Sequence, residues 1–130
     1  MDLILDTCAL LSLAGLAQRK LSRATLASIR DANRLGLSAC SLFEIALKHK
    51  RGNLPLDPFN SPEAFWDEAV GTYACDVVPV DAVDFANAVG LPDHHADPFD
   101  RIIMAQAHRL KCPIVTYDRL FAAYDVEVVS

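Results

Sequence analysis

Residues 3–6 read LILD and residues 113–116 read PIVT. Both runs are apolar without alternation, which is typical of strands buried on both faces of a parallel sheet. Three further short runs are strand-like: GLSAC (36–40), VVPV (77–80) and VEVV (126–129). Helix-like periodicity or a turn separates each run from the next. The sequence therefore predicts an α/β fold in which helices cover both faces of a parallel sheet.

The composition is that of one folded domain, since the chain has 130 residues, of which 52% are hydrophobic and 22% are charged. The 4 cysteines lie far apart, without a Cys-x-x-Cys pair, which disfavours a zinc ribbon or a redox pair. No apolar stretch approaches the roughly 20 residues of a membrane span, and Asp2 and Asp6 interrupt the first apolar run. We expect a cytoplasmic protein without a signal peptide.

The charge is unevenly distributed along the chain. The net charge is −5, which by itself disfavours a tight non-specific binder of nucleic acid. Residues 1–60 carry 8 basic and 5 acidic side chains, whereas residues 61–130 carry 4 basic and 12 acidic ones. A basic half and an acidic half are consistent with a charged partner, and equally with two differently solvated faces.

Acidic side chains follow the two most apolar strands. Asp6 ends the first run, and Asp118 comes two residues after the run that ends at Thr116. Ligands of open α/β sheets bind beyond the carboxyl ends of the strands, so the two acids would face one cleft if these strands are neighbours. Each acid could equally be a helix N-cap.

Glu44 is an acid in an otherwise apolar helical segment, CSLFEIALKHK (40–50). A carboxylate in these surroundings is expected to be partly buried, which is costly unless it binds a cation or forms an ion pair. Lys48, four residues later, could provide that pair.

The segment HHADPFDRIIMAQA (94–107) contains a helix start. Asp97 is placed to cap the helix and Pro98 to begin it, which puts Asp100 in the first turn. Asp100 shares a helical face with Ile103, Met104 and Ala107, so it should point toward the end of the sheet. Arg101 lies off that face, and we expect it to pair with Asp97 or to contact solvent.

Taken together, the four acids described above indicate a site that binds a metal ion. They are Asp6, Glu44, Asp100 and Asp118. Gathering carboxylates without a counter-charge costs several kcal/mol, about 1.4 kcal/mol for each pKa unit, and a hard cation such as Mg²⁺ or Mn²⁺ removes that cost. One or two such ions can activate water for attack on a phosphodiester. Zinc binding by His94 and His95 is disfavoured, because adjacent side chains point in different directions and further ligands are missing.

Four segments, in order and in register, carry a family resemblance: LILDTCALL (3–11), SLFEIALKHKRGNLPL (41–56), DPFDRIIMAQA (97–107) and IVTYDRLFAAY (114–124). The chain resembles the PIN-domain nucleases, specifically the VapC-type toxins of bacterial toxin–antitoxin pairs. The resemblance spans residues 1–130, which we expect to form one PIN domain. It implies a three-layer α/β/α sandwich with a five-stranded parallel sheet of order 3-2-1-4-5.

The resemblance also implies the site residues. The metal-binding and catalytic acids would be Asp6, Glu44, Asp100 and Asp118. Supporting roles would fall to Thr7, Asp97 and Thr116, with capping as the expected role of Asp97. The bases that would hold the RNA backbone are Lys48, Lys50 and Arg51, which could alternatively be a solvated helix end. Further candidates for this role are Arg19, Lys20 and Arg23.

The implied activity is that of a Mg²⁺- or Mn²⁺-dependent endoribonuclease, the toxin of a type II toxin–antitoxin system, which inhibits translation and growth by cleaving tRNA or another RNA. The implied partners are a VapB-type antitoxin and a second copy of the chain. The sequence has no DNA-binding motif of its own, so operator binding would occur through the antitoxin.

Two other functions remain open at this stage. A non-catalytic module that binds RNA or protein would keep the fold and bind no divalent metal. An aspartyl-phosphate phosphatase would need an acid two residues after its nucleophile, and position 8 is Cys8.

Overall fold

Five short strands alternate with six α-helices, and the computed structural model describes all of residues 1–130. The strands are β1 (Leu3–Leu5), β2 (Leu35–Ser38), β3 (Cys75–Val78), β4 (Ile114–Val115) and β5 (Val128–Val129). The helices are α1 (Thr7–Leu13), α2 (Arg23–Asp31), α3 (Ala39–Lys50), α4 (Pro62–Thr72), α5 (Ala82–Gly90) and α6 (Pro98–Leu110). A 3₁₀ helix (Arg119–Ala123) lies between β4 and β5. No helix combines the length and the apolar character that crossing a bilayer requires.

The strands form one parallel sheet with the order β3-β2-β1-β4-β5, as the family resemblance implied. β1 lies at the centre, where Leu5 pairs with Leu37 of β2 on one side and with Val115 of β4 on the other. The chain builds the sheet outward from β1 to β3 and then returns to β4. The strand order therefore reverses between β1 and β4, which is the position where open α/β sheets bind their ligands.

Alternate residues of the central strands enter two separate cores, one on each face of the sheet. Leu3 and Leu5 belong to the larger core, which includes Phe65 and Trp66 of α4. Ile4 points the other way, into a core with Ile103 and Met104 of α6 and Phe121 of the 3₁₀ helix. This division explains why β1 has no polar position: all three of its residues are buried.

The structure places several boundaries differently from the sequence predictions. β2 ends at Ser38 rather than at residue 40, because the Ser38 hydroxyl accepts a hydrogen bond from the Cys40 N–H and α3 begins at Ala39. β3 covers residues 75–78 rather than 77–80, since Pro79 has no N–H to continue the ladder. β5 is shorter than the predicted run 126–129.

A bidentate ion pair joins α5 to the end of α6. Arg109 Nε lies 2.8 Å from Asp84 Oδ1, and its Nη2 lies 2.9 Å from Oδ2. The Asp84 side chain has no exposed surface, whereas that of Arg109 is 31% exposed. The pair fixes the helix that carries Asp100 against its neighbour.

We predict that Arg109→Ala lowers the free energy of unfolding by about 2 kcal/mol, because Asp84 loses both charge-assisted hydrogen bonds from Arg109. Arg30→Ala is the control, since Arg30 and Asp31 are both largely exposed and their pair should contribute less than about 0.5 kcal/mol. Urea unfolding measures both. Equal effects of the two substitutions would contradict the structural importance of the Asp84–Arg109 pair.

Candidate active site

Three of the predicted acids line one cavity at the carboxyl edge of the sheet. The cavity has a volume of about 370 Å³. Asp6, Asp100 and Asp118 line it together with Cys8, Arg19, Tyr117 and Arg119. The acids come from three places: the end of β1, the first turn of α6 and the segment after β4. Their meeting beside the β1–β4 pair agrees with the position of the strand-order reversal.

Asp6 caps α1 and is almost completely buried. Its Oδ1 accepts a hydrogen bond of 2.7 Å from the N–H of Ala9, and the residue is 2% exposed. Burial and, to a smaller extent, the negative charges of Glu44 and Asp118 raise the pKa of Asp6 to about 6, against hydrogen bonds from Thr116 and Ala9 that lower it. Asp6 is therefore an N-cap and a cavity acid at once.

Glu44 lies behind the cavity on α3, and it is 2% exposed. Its Oε2 accepts a hydrogen bond of 2.6 Å from Lys48 Nζ, so the ion pair that the sequence left open does form. Its Oε1 is buried and has no hydrogen-bond partner. An unpartnered, buried carboxylate oxygen is costly, and a bound cation would satisfy it.

The pKa of Asp100 is raised more than that of Asp6. Asp97 caps α6, as predicted, because its Oδ1 accepts hydrogen bonds from the N–H groups of Phe99 and Asp100. This fixes the first turn and aims Asp100 at the cavity. Burial, together with the negative charges of the four neighbouring acids, raises the pKa of Asp100 to about 8.

Asp118 is held at the start of the 3₁₀ helix. Its Oδ1 accepts a hydrogen bond from the N–H of Leu120, and its own N–H donates to the buried hydroxyl of Thr116. Thr116 thus contacts both Asp118 and Asp6.

Thr7 is also buried, but its hydroxyl pairs with that of Ser41 at 2.9 Å and so connects α1 to α3.

At the sequence level His95 is a candidate only for zinc binding, which is disfavoured, whereas the structure places its imidazole between two of the predicted acids. Its Nε2 lies 3.0 Å from Oδ2 of Asp100 and 3.0 Å from Oδ2 of Asp118. The three residues form a group whose potential ligand atoms all lie within 4.8 Å of one another. The one available signal was the place of His95 five residues before Asp100. His94 is exposed and packs edge-on against Tyr124.

The sequence pattern predicted that Arg101 pairs with Asp97 or contacts solvent. In the structure Arg101 binds mainly backbone carbonyl groups instead. Its guanidinium donates to the backbone carbonyls of residues 88, 89, 91, 92 and 95. Its side chain is only 11% exposed. One guanidinium therefore fixes the loop between α5 and α6, which carries His95.

Lys48, Lys50 and Arg51 lie at the end of α3, whereas two arginines lie nearer to the acids. Lys50 and Arg51 are exposed, while Lys48 is engaged with Glu44. Arg19 and Arg119 line the acidic cavity. Arg19 lies over the ring of Tyr117, with its Cζ 4.4 Å from the ring centroid. Arg19 is among the further candidates for RNA contact that the sequence provides, whereas Arg119 was not predicted.

Cysteine chemistry is disfavoured at this site. Burial raises the pKa of Cys8 to about 12, and the negative charge of Asp6 acts in the same direction. The residue therefore stays a neutral thiol, whereas a nucleophilic cysteine needs a lowered pKa.

The donor set fits a hard divalent cation. The side chains are carboxylates from Asp6, Glu44, Asp100 and Asp118, and the charges of the neighbouring acids contribute to the raised pKa of Asp6 and of Asp100. Carboxylate oxygens are the ligands that Mg²⁺ and Mn²⁺ prefer. Among these carboxylates, Glu44 has a buried oxygen, Oε1, without a hydrogen-bond partner, and a bound cation would satisfy it.

A family model for the PIN domain matches residues 3–127. The chain belongs to the PIN-domain family. The match confirms the resemblance drawn from the four sequence segments, and the family is one of nucleases that use divalent metal ions. A comparison with curated proteins finds no match.

Solved PIN structures share the fold over nearly the whole chain. A toxin–antitoxin complex from Klebsiella pneumoniae has a TM-score of 0.68 at 15% identity, covering 99% of this chain and 97% of the other. DNA-bound VapBC from Salmonella typhimurium has a TM-score of 0.67 at 15% identity, with the same coverage. VapBC2 from Rickettsia felis, bound to a promoter DNA fragment, has a TM-score of 0.70 at 12% identity, covering 99% and 98%. At these identities the likeness concerns the fold.

We predict that the metal-free protein loses stability as the pH rises. The folded state holds a proton on Asp100 up to about pH 8, whereas an ordinary carboxyl with a pKa of 3.8 releases it earlier. The stabilising contribution of this proton is complete below the unfolded pKa and is lost as the pH rises through the folded one. Asp100→Asn should therefore be more stable than the natural protein at about pH 8, and this advantage should shrink toward about pH 4.

Urea unfolding in a chelator, at several pH values, measures this difference. Mn²⁺ at the higher pH should stabilise the natural protein more than the variant, because the ion replaces the proton as counter-charge. A stability difference that is constant over this pH range would refute the raised pKa of Asp100.

Proposed function

We propose that the chain is a Mg²⁺- or Mn²⁺-dependent endoribonuclease, the toxin of a type II toxin–antitoxin system that inhibits translation and growth. The observation that carries the proposal is that Asp6, Asp100 and Asp118 line one cavity at the edge of the sheet. Glu44 is close enough for its charge to act on Asp6 and Asp100, and its Oε1 is buried and unpartnered. Such a cluster is stable as a charged site only with a cation. Membership of the PIN family supports phosphodiester hydrolysis as its chemistry.

Each residue has a defined task in this proposal. Asp6, Glu44, Asp100 and Asp118 would hold the ion. When bound, the ion supplies a lowered pKa for water and neutralises charge at the phosphodiester. Asp97 orients Asp100 by capping α6, and Thr116 orients Asp6 and Asp118 by hydrogen bonds.

Substrate binding needs positive charge near an acidic cavity. Arg19 and Arg119 line that cavity and would contact the RNA phosphates closest to the acids. Lys50 and Arg51 would extend the contact along the backbone, at the exposed end of α3. Lys48 serves Glu44 first, since its Nζ is 2.6 Å from Oε2.

The proposed protein partners are a VapB-type antitoxin and a second copy of the chain. Support for the antitoxin comes from similar structures described as toxin–antitoxin and VapBC complexes, whereas the second copy rests on the family resemblance alone. Two of the similar VapBC complexes are bound to DNA. We assign operator binding by this chain's complex to the antitoxin, because the toxin sequence has no DNA-binding motif.

We predict that Asp6→Asn and Asp100→Asn each reduce cleavage of RNA by about 100-fold or more, since removing one contact to transition-state charge commonly costs 10²–10³ in rate. The assay uses tRNA and unstructured RNA with Mg²⁺ or Mn²⁺, and mapping of the product ends. We expect 5′-phosphate and 3′-hydroxyl ends, and no cleavage in a chelator. A DNA oligonucleotide of the same sequence tests the preference for RNA.

The control for these variants is Asp67→Asn, which changes an exposed acid on α4 and should leave cleavage unchanged. Metal-dependent cleavage retained by both site variants would exclude this mechanism. Absence of divalent-metal binding by the folded natural protein, measured by calorimetry, would instead favour a non-catalytic binding module.

We predict that Arg19→Ala raises the KM for RNA about tenfold, as expected for one lost charge-assisted hydrogen bond, and leaves Mn²⁺ affinity unchanged. The dependence of binding on salt should weaken by about one counterion. Lys20→Ala is the matched control, because Lys20 is an exposed neighbour outside the cavity lining. Equal effects of the two substitutions would argue against a specific phosphate contact by Arg19.

A further inference from the structure

His95 is held in place from three sides. Its backbone carbonyl accepts a hydrogen bond of 3.0 Å from Arg101 Nη1, and its Nδ1 accepts one of 3.2 Å from the N–H of Asp97. Its ring packs edge-on against Phe121, with centroids 5.7 Å apart. Only 10% of the side chain is exposed. The imidazole therefore has a fixed position and direction before any ligand arrives.

The contact at Nδ1 determines which nitrogen of His95 carries a proton. A backbone N–H only donates, so Nδ1 must present its lone pair to Asp97, and the proton lies on Nε2. Nε2 is 3.0 Å from Oδ2 of Asp118 and 3.0 Å from Oδ2 of Asp100. The Nε2–H group donates to Asp118 in the observed geometry, with the Asp100 oxygen beside it.

We propose that His95 is a positioning residue of the metal centre: its Nε2–H holds the carboxylates of Asp100 and Asp118 at the separation that a shared cation requires. This inference rests on the proposed metal-dependent function. The two acids lie on different elements, α6 and the segment after β4. His95 bridges them, and Arg101 fixes its loop.

His95 is not itself a metal ligand in this proposal. Coordination through Nε2 would require the loss of its proton and the protonation of Nδ1. A protonated Nδ1 would face the N–H of Asp97, and two donors would then oppose each other at 3.2 Å. Asp97 is also the cap of α6, so this conflict would disturb the turn that aims Asp100. The ligand set therefore stays all-oxygen, which suits Mg²⁺ and Mn²⁺.

The test compares Mn²⁺ binding by His95→Ala, His95→Gln and His94→Ala, using calorimetry at one fixed pH. We expect His95→Ala to weaken Mn²⁺ affinity about 10- to 100-fold, which is the usual effect of losing a group that orients metal ligands. His95→Gln should recover most of the affinity, since its amide N–H can donate from a similar position. His94→Ala should bind as the natural protein does, because His94 lies outside the acidic cluster.

A spectroscopic measurement separates positioning from coordination. Electron spin echo spectroscopy of bound Mn²⁺ detects a directly coordinated imidazole nitrogen, and we expect none in the natural protein. Thermal unfolding in a chelator checks that each variant is folded. If His95→Ala does not fold, the glutamine variant and the spectrum of the natural protein still decide the question.

Three results would overturn the proposal. One is unchanged Mn²⁺ affinity in folded His95→Ala, and another is a coordinated nitrogen signal. The third is a loss of affinity in folded His95→Gln as large as that in His95→Ala. If the natural protein does not bind Mn²⁺, the proposed function fails together with the role of His95. If the natural protein binds Mn²⁺ and one of these three results is found, only the role of His95 is rejected.

Discussion

The repulsion among buried carboxylates at the carboxyl edge of the sheet is the constraint on which the site depends. Each acid must be held against its neighbours, and the fold does so by dividing the oxygens of a carboxylate between two tasks. In Asp118, Oδ1 caps the 3₁₀ helix while Oδ2 faces His95. In Glu44, Oε2 accepts from Lys48 while Oε1 is unpartnered. A carboxylate that caps a helix or forms an ion pair through one oxygen could thus also bind a metal.

The sequence predicted the sheet and the acids because both leave local patterns. Unbroken apolar runs marked the central strands β1 and β4, and Asp97-Pro98 marked the start of α6. The position of Asp100 followed from helical periodicity alone. Boundaries were less predictable: residues 39 and 40 look strand-like, but a hydroxyl cap at Ser38 turns them into helix.

His95 and Arg101 escaped prediction for a shared physical reason. Arg101 donates to backbone carbonyls, which every residue has, so no side-chain pattern reveals its contacts. His95 reaches the acids only because those contacts give the loop before α6 one particular path. The side chains of His94 and His95 point in different directions, as expected for neighbours in sequence, and His95 alone lies between Asp100 and Asp118.

The charge distribution is consistent with the proposed RNA substrate. A net charge of −5 disfavours nucleic-acid binding only if the charges are averaged over the surface. The structure concentrates acids inside one cavity and sets Arg19 and Arg119 in its lining. Each divalent ion would cancel two of the cavity's negative charges, and the arginines would then dominate the field at its mouth. Under the proposed function the metal would therefore do more than provide chemistry, because its positive charge would add to that of the two arginines and strengthen the attraction of the cavity for a phosphodiester.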